Sequence, residues 1–376
     1  MADRQMAEQL EVPEFHADVL ETILSHVPLV DLVSASHVSN SWRAAVSSSL
    51  IHHNKPRPWL ILHTQGTRSP YATTTQAYDP RSGVWVKLSR PSIPYISDLK
   101  SSHSNCLYML SSSRFSFSFD PLGFDWRHVA GPIVLRRDPI VARVGHSVVV
   151  AGGGCDFEDD PMAVEIYDLS TCAWHACDSM PGNLRDTSAS IWLSVAATDE
   201  KLIVAVKESG SIYWFDPVVK SWSDAFKLSP GQPVQSYNIG YTNNTLILVG
   251  LWEIQNVARV KVWRVGEEEF ECEEIGEMPS AYVEKLRSES FGYCSLNIRV
   301  AGSTVYVYNN TWGVEEVVAC ELIPDGGCRW WSVNNVVARE ERIGERLVFT
   351  CAEVGIDELG RVMRAENRRF EVSPPS

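Results

Sequence analysis

Tyr78–Trp85 reads YDPRSGVW, Phe119–Trp126 reads FDPLGFDW, Tyr167–Trp174 reads YDLSTCAW and Phe215–Trp222 reads FDPVVKSW. In all four an aromatic residue precedes an aspartate, and a tryptophan stands six positions beyond it. The pairs are Asp79 with Trp85, Asp120 with Trp126, Asp168 with Trp174 and Asp216 with Trp222, at successive offsets of 41, 48 and 48 residues. A further 48 residues on, Arg264 and Phe270 keep the spacing without the acid, and CELIPDGGCRWW, ending at Trp330 and Trp331, is a looser sixth copy. Asp followed by Pro makes a turn, because the carboxylate caps nearby amides and the ring fixes φ. The aromatic-Asp pair therefore closes one strand, and the Trp opens the next and packs its large face on a neighbour. Repeats of about 40–50 residues built of short strands point to a β-propeller.

Upstream of each copy lie runs that read as strands: HSVVVAGGG (146–154) and AVEIYD (163–168) in the third, SSHSNCLYMLSS (101–112) in the second, then KLIVAVKESG with SIYWFDP, and LILVG with VKVWRV. Units fall at about 58–90, 98–130, 140–178, 190–228, 238–276 and 290–333. The first begins late, at PWLIL, and a spare strand, RLVFTCAEV (346–354), remains at the other end. Pairing the two closes a ring and removes both exposed edges. An open β-sandwich with coincidental spacing is the competing architecture. The order HS, apolar run, Gly-Gly, aromatic-Asp, Trp resembles the kelch repeat. The expected fold is mainly β: a kelch-type propeller, six-bladed, or seven-bladed if the tail forms its own blade.

Residues 15–50 have helical periodicity instead. Val19, Ile23 and Val27 recur every fourth residue beside Leu20 and Leu24. Pro28 ends that helix and suits the first turn of the next, which carries Leu29, Leu32 and Ala35. Ser39 is placed to cap a third, with Trp42, Ala45 and Val46. So short a piece buries little on its own and needs something to dock on. It resembles the F-box without a gap: Asp18, Leu20, Ile23, Leu24, Pro28, Asp31, Leu32, Val38, Trp42 and Arg43 stand on matching positions. Phe15-His16 replaces the family's Leu-Pro, Ser39 its Cys and Asn40 its Lys. The resemblance implies that Val19, Leu20, Ile23, Leu24, Val27, Pro28, Leu32, Val38 and Trp42 bind a Skp-family adaptor, and through it a cullin–RING ligase. The expected organisation is a flexible N-terminus (1–14), F-box helices (15–50), a short stiff linker (51–57), the propeller (58–366) and a C-terminal tail (367–376).

The net charge of −14 and pI near 5.2 disfavour nucleic acid and anionic membranes as partners. No apolar run reaches the ~20 residues that span a bilayer. MADRQMAEQLEVPEF has no apolar core of a secretory signal. The nine cysteines are odd in number, scattered and without CxxC, which fits reduced thiols in cytoplasm or nucleus. NNT at Asn243 and at Asn309 is read as a turn. AGGG (151–154) is followed by CDFEDD rather than GK[ST], so its glycines make a kelch turn and not a phosphate loop. Asp156, Glu158, Asp159 and Asp160 lack the spacing of a calcium loop. His103 and His146 occupy equivalent repeat positions, which suits structure better than catalysis. Catalytic residues, metal ligands and cofactors are all expected to be absent.

What remains is recognition of a protein substrate by propeller loops. Large or charged loop residues are the candidates, since Arg and Trp are enriched in hot spots: Arg136, Arg137, Asp156, Glu158, Asp159, Arg185, Trp192, Trp252 and Trp312. Stretches 138–160, 190–197 and 278–287 resemble plant kelch F-box proteins that target phenylpropanoid and flavonoid enzymes, the type recognising chalcone synthase in particular. The resemblance implies a target-recruiting subunit of a ubiquitin ligase; the alternative is a kelch scaffold that holds a metabolic enzyme without degrading it.

Overall fold

The computed structural model describes residues 17–68, 72–89, 97–155, 158–184, 189–255, 257–266, 270–289, 292–293, 296–311, 314–324, 326–337, 345–365 and 368–373. Six antiparallel sheets form the blades. Blade 1 contains β1 (Trp59–Gly66), β2 (Thr73–Asp79) and β3 (Val84–Ser89), and blade 2 contains β4 (Leu107–Leu110), β5 (Arg114–Ser118) and β6 (Arg127–Ala130). Blade 3 is β7 (Ile140–Val144), β8 (Ser147–Ala151), β9 (Val164–Asp168) and β10 (Ala173–Cys177). Blade 4 is β11 (Leu193–Ala197), β12 (Leu202–Val206), β13 (Ser211–Asp216) and β14 (Ser221–Trp222), with β15 (Phe226–Lys227) also on β13. Blade 5 is β16 (Ser236–Thr242), β17 (Thr245–Ile254), β18 (Val257–Val265) and β19 (Cys272–Glu277). Blade 6 is β20 (Leu296–Ala301), β21 (Thr304–Asn309), β22 (Glu316–Leu322) and β23 (Cys328–Asn334). The apolar strands SVVVA, LIVAV and TVYVYN lack a polar face because each lies between two neighbouring blades.

The spare C-terminal strand closes the ring as expected. β24 (Glu345–Ala352) pairs antiparallel with β1 from Trp59↔Ala352 to Gly66↔Glu345. The chain then forms a helix (Ile356–Arg364) and ends in β25 (Arg369–Ser373), which pairs with the outer strand β3. Residues 369–373, set apart by the sequence reading as a tail, are thus the fifth strand of blade 1, and both edges of that blade are C-terminal.

The repeated acid does one job in every copy. Asp79 Oδ1 accepts from the Arg81 amide, Asp120 Oδ1 from Leu122 and Gly123, Asp168 Oδ1 from Ser170 and Thr171, and Asp216 Oδ1 from Val218 and Val219. At Asp168 the Ser170 hydroxyl, followed by the two amides, pulls the carboxyl pKa down to about 2. The fourth residue past each acid returns its amide to the Asp carbonyl at 2.7–2.9 Å. That residue lies in the left-handed region: Gly83 at φ 72°, Phe124 at 55°, Cys172 at 56° and Lys220 at 65°. This turn makes the spacing to the Trp six. Each indole seals the seam with the preceding blade. Trp85 joins Tyr306 and Val317 of blade 6, Trp126 joins Val348 of β24, Trp174 Nε1 donates to the Ala130 carbonyl of β6, and Trp222 packs into the seam of blades 3 and 4. In the degenerate fifth copy Phe270 takes the place of the indole and stacks on Trp214.

Gly83 has open space where a Cβ would sit, so Gly83→Ala isolates the cost of φ, about 1 kcal/mol. Lys220→Gly should act oppositely, gaining about 0.5 kcal/mol after the added freedom of the unfolded chain is subtracted. Thermal unfolding of the two variants, expected to shift in opposite directions, is the check.

Candidate functional site

Three helices precede the ring: α1 (Ala17–Leu24), α2 (Leu29–Ala35) and α3 (Asn40–Ser48), the last continuing as a wider helical turn over Ser49–His53. Ser39 caps α3, its hydroxyl accepting from the Trp42 amide. Pro28 occupies the cap position of α2, not its first turn, and has no side-chain acceptor to offer the free amides. The propeller supplies one. Asp79 Oδ2, which also accepts from the Ser82 hydroxyl within the turn of blade 1, accepts from the Leu29 amide at 3.1 Å. From the same turn Arg81 donates to the Leu24 carbonyl at 2.8 Å, to the Val27 carbonyl, and through Nε to Asn54 O at 2.9 Å. An acid thus meets the start of α2 and a base the end of α1, each matching the helix dipole. Asn54 in turn donates to the carbonyls of Ser25 and Arg81. The segment 51–57, expected to be a short stiff linker, begins as helix and is bonded to both parts.

Apolar packing completes the joint. Leu20, Leu24, Leu29, Leu32, Val33, Ala45 and Val46 share one continuous core with Trp59, Ile61, Val84, Val86 and Leu88 of blade 1 and Leu122 of blade 2. Leu359 and Val362, from the helix between β24 and β25, belong to it too. That helix, numbered last in chain order after α4 (Ala189–Trp192) and α5 (Ser280–Lys285), is α6. The sequence reading missed it, although Leu359, Val362 and Met363 repeat at helical spacing, with acids in its first turn and arginines in its last.

The nine residues assigned to the adaptor by resemblance therefore divide. Leu20, Leu24 and Leu32 are buried in the joint and offer no free surface; a charge at Leu24 would enter the seam with blade 1. Val27, Pro28 and Trp42 are half-buried. Val19, Ile23 and Val38 stand 47%, 48% and 63% exposed. Val19 and Ile23, one turn apart, form a second apolar stripe on α1 beside the buried Leu20–Leu24 stripe. Ile51, placed in the linker by the sequence reading, adds a further exposed apolar side chain.

The first strands of blades 3–6 and β24 run side by side around the axis. Because the strands alternate in direction, connections after first and third strands gather at one end of the ring, and the others at the opposite end. The first kind are tight, namely the Asp–Trp turns and hairpins such as Asn243–Asn244 (φ 48° and 56°). Here the NNT triplet is the turn that was expected. The F-box docks at this end. The opposite end holds the longer connections, those from β8 to β9, β10 to β11, β15 to β16 and β19 to β20. There a cavity of about 470 Å³ opens into the axis.

Arg137, at the lip of that cavity, is exposed, as are Asp159 and, at 49%, Trp192. Glu158 is half-exposed and accepts from the Leu135 amide. Arg136 is not a reader: it is 5% exposed, bonded to the carbonyls of Gly152 and Ala163 and paired with Glu165 at 2.9 Å, so it ties two blade segments together. Trp252 is also excluded, being 3% exposed and packed with Trp263 under Lys261. Asp156, Arg185 and Trp312 lie outside the described residues. The sequence reading missed Ile133, Leu135, Ile191, Ile254 and Val257, apolar side chains exposed on this same end, and the cavity's inner cations Lys207 and Arg299.

The F-box domain family model matches residues 14–54. An F-box/kelch-repeat protein of Arabidopsis thaliana is 41% identical over 371 residues, 94% of this chain and 93% of that protein. The chain belongs to the F-box/kelch-repeat proteins. F-box only protein 6 of Arabidopsis thaliana is more distant, 20% identical over 290 residues, 72% of this chain and 59% of that protein. In this F-box/kelch-repeat protein the two parts form one packed body rather than beads on a tether.

Arg81→Ala removes three hydrogen bonds from a charged donor at that joint, worth about 3 kcal/mol together. Amide exchange over residues 17–53 should accelerate about a hundredfold while the blades stay protected. Unchanged exchange there would show that apolar packing alone holds the lobe.

Proposed function

We propose that this chain is the target-recognition subunit of a Skp–cullin–F-box ubiquitin ligase. Its helical lobe binds the Skp-family adaptor through Val19, Ile23 and Val38, and the loop-rich end of the propeller captures a protein for ubiquitination and degradation. The observation that carries the reading is the double apolar character of α1. One stripe is consumed by the protein's own propeller, and the other, Val19–Ile23, is left exposed among the described residues. A helix that keeps two apolar stripes has two partners. The chain does no covalent chemistry in this scheme; it raises the local concentration of target lysines near the charged ubiquitin-carrying enzyme.

The finer reading, a phenylpropanoid or flavonoid enzyme such as chalcone synthase as target, rests on the resemblance carried by 138–160, 190–197 and 278–287. The scheme acts in cytoplasm, nucleus or both, and the eight described cysteines, all free thiols, accord with it.

Ile23→Asp combined with Val38→Asp should weaken capture of a Skp-type adaptor at least tenfold, with melting shifted by no more than about 1 °C because both side chains are exposed. Full retention of the adaptor would end the F-box assignment of this surface. For the finer reading, co-expression with the wild-type chain, but not with the double variant, should shorten the half-life of chalcone synthase; an equal half-life in both cases would dismiss that target.

A further inference from the structure

The loop-rich mouth concentrates positive charge in a chain whose net charge is −14. Lys100, Arg137, Lys207, Arg299 and Arg346 line the cavity against two carboxylates, Asp98 and Asp138. Lys100 pairs with Asp138 at 3.6 Å, and Arg346 pairs with Asp98. Among the described residues, no carboxylate forms an ion pair with the other three. Arg299 is held across the axis by neutral acceptors, the carbonyls of Phe349, Ile298 and Ser101. Lys207 is 9% exposed, and among the described residues the one bond its ammonium makes is to Asn297 Oδ1, at 2.6 Å, although it carries three donors. Burial first, and the charge of Arg299 second, lower its pKa to about 8, as befits a cation without a counter-ion. A buried cation in this position is costly unless an anion joins it.

A second observation points the same way. Asn238, 1% exposed, lines the same cavity, and its Oδ1 has no hydrogen-bond partner among the described residues. It is an acceptor waiting for a donor beside cations waiting for an acceptor. A peptide whose side chain bears an oxyanion provides both, since its backbone N–H donates where its acid accepts. Arg137 stands at the lip with its backbone fixed, its amide donating to Gly153 O at 2.8 Å and its carbonyl accepting from Lys100 Nζ at 2.6 Å. About 470 Å³ is in the range of sites that enclose a ligand of a few residues.

We propose that this mouth recognises an acidic segment of the captured protein, with an oxyanion-bearing side chain seated between Arg137 and Lys207 and a backbone amide on Asn238. The proposal deepens the target-capture reading above and rests on it. A carboxylate and a phosphorylated side chain present the same chemistry here.

The test titrates the full-length chain, bound to its adaptor, with a labelled six-residue glutamate peptide and with its glutamine and phosphoserine counterparts, using inorganic phosphate as competitor. The glutamate peptide should bind at one site, and the glutamine peptide at least ~10-fold more weakly. Arg137→Gln should weaken the glutamate peptide ~5- to 10-fold, and Lys207→Gln by more. Arg137 is exposed, so its variant stays informative if Lys207→Gln disturbs packing. Tighter binding of the phosphoserine peptide supports the pocket and assigns the anion to a modified target. Equal binding of the glutamate and glutamine peptides, indifference to both substitutions, or binding of inorganic phosphate without either acidic peptide overturns the proposal. Adaptor capture is read on the same samples. Its loss with peptide binding intact defeats the ligase reading and spares the pocket; the reverse result spares the ligase reading.

Discussion

The eight-residue pairing of β24 with β1 is the constraint on which the rest of the molecule depends. A ring of sheets has no edge only if its last strand lies beside its first. Every inter-blade seam transmits that closure, because each sheet is buried on both faces by its neighbours. Blade 1 holds the innermost strand, the outermost strand and the helix between them from the C-terminal end, so the blade that closes the ring is also its most heavily buttressed.

That same blade carries the F-box, through a turn that does double duty. In three other copies the repeat acid caps its own turn. In blade 1 the second oxygen of Asp79 serves α2 as well, in place of the cap that Pro28 cannot provide, and Arg81 serves the end of α1. The lobe is therefore held in a fixed orientation by directional bonds, with apolar packing beneath them. The exposed stripe of α1 and the cavity mouth thus lie at opposite ends of one packed body.

The propeller was legible in sequence because its signature is local. The Asp carboxylate, the amides two and three residues on and the left-handed fourth residue all lie within one turn, so spacing alone reveals them. Function was less legible, because it depends on which neighbour a residue meets. Leu20 and Leu24 differ little in type from Val19 and Ile23, yet one pair faces blade 1 and the other faces outward. Arg136 and Arg137 are adjacent and identical; Glu165, remote in sequence, captures the first and leaves the second free. Lys207 reads as the polar end of an apolar strand until the ring places it beside Arg299. The joint at Asp79 and Arg81 spans about fifty residues, and no local pattern announces it.

Blade 1 also has a consequence for how the protein is made. β1 emerges from the ribosome almost three hundred residues before β24, so its apolar inner edge waits unpaired through nearly all of synthesis. A chain cut short anywhere before residue 345 keeps its F-box helices but lacks both the ring and the α6 that backs them. Without β24 the inner edge of β1 stays unpaired, and an open apolar strand edge is a template for pairing with another chain.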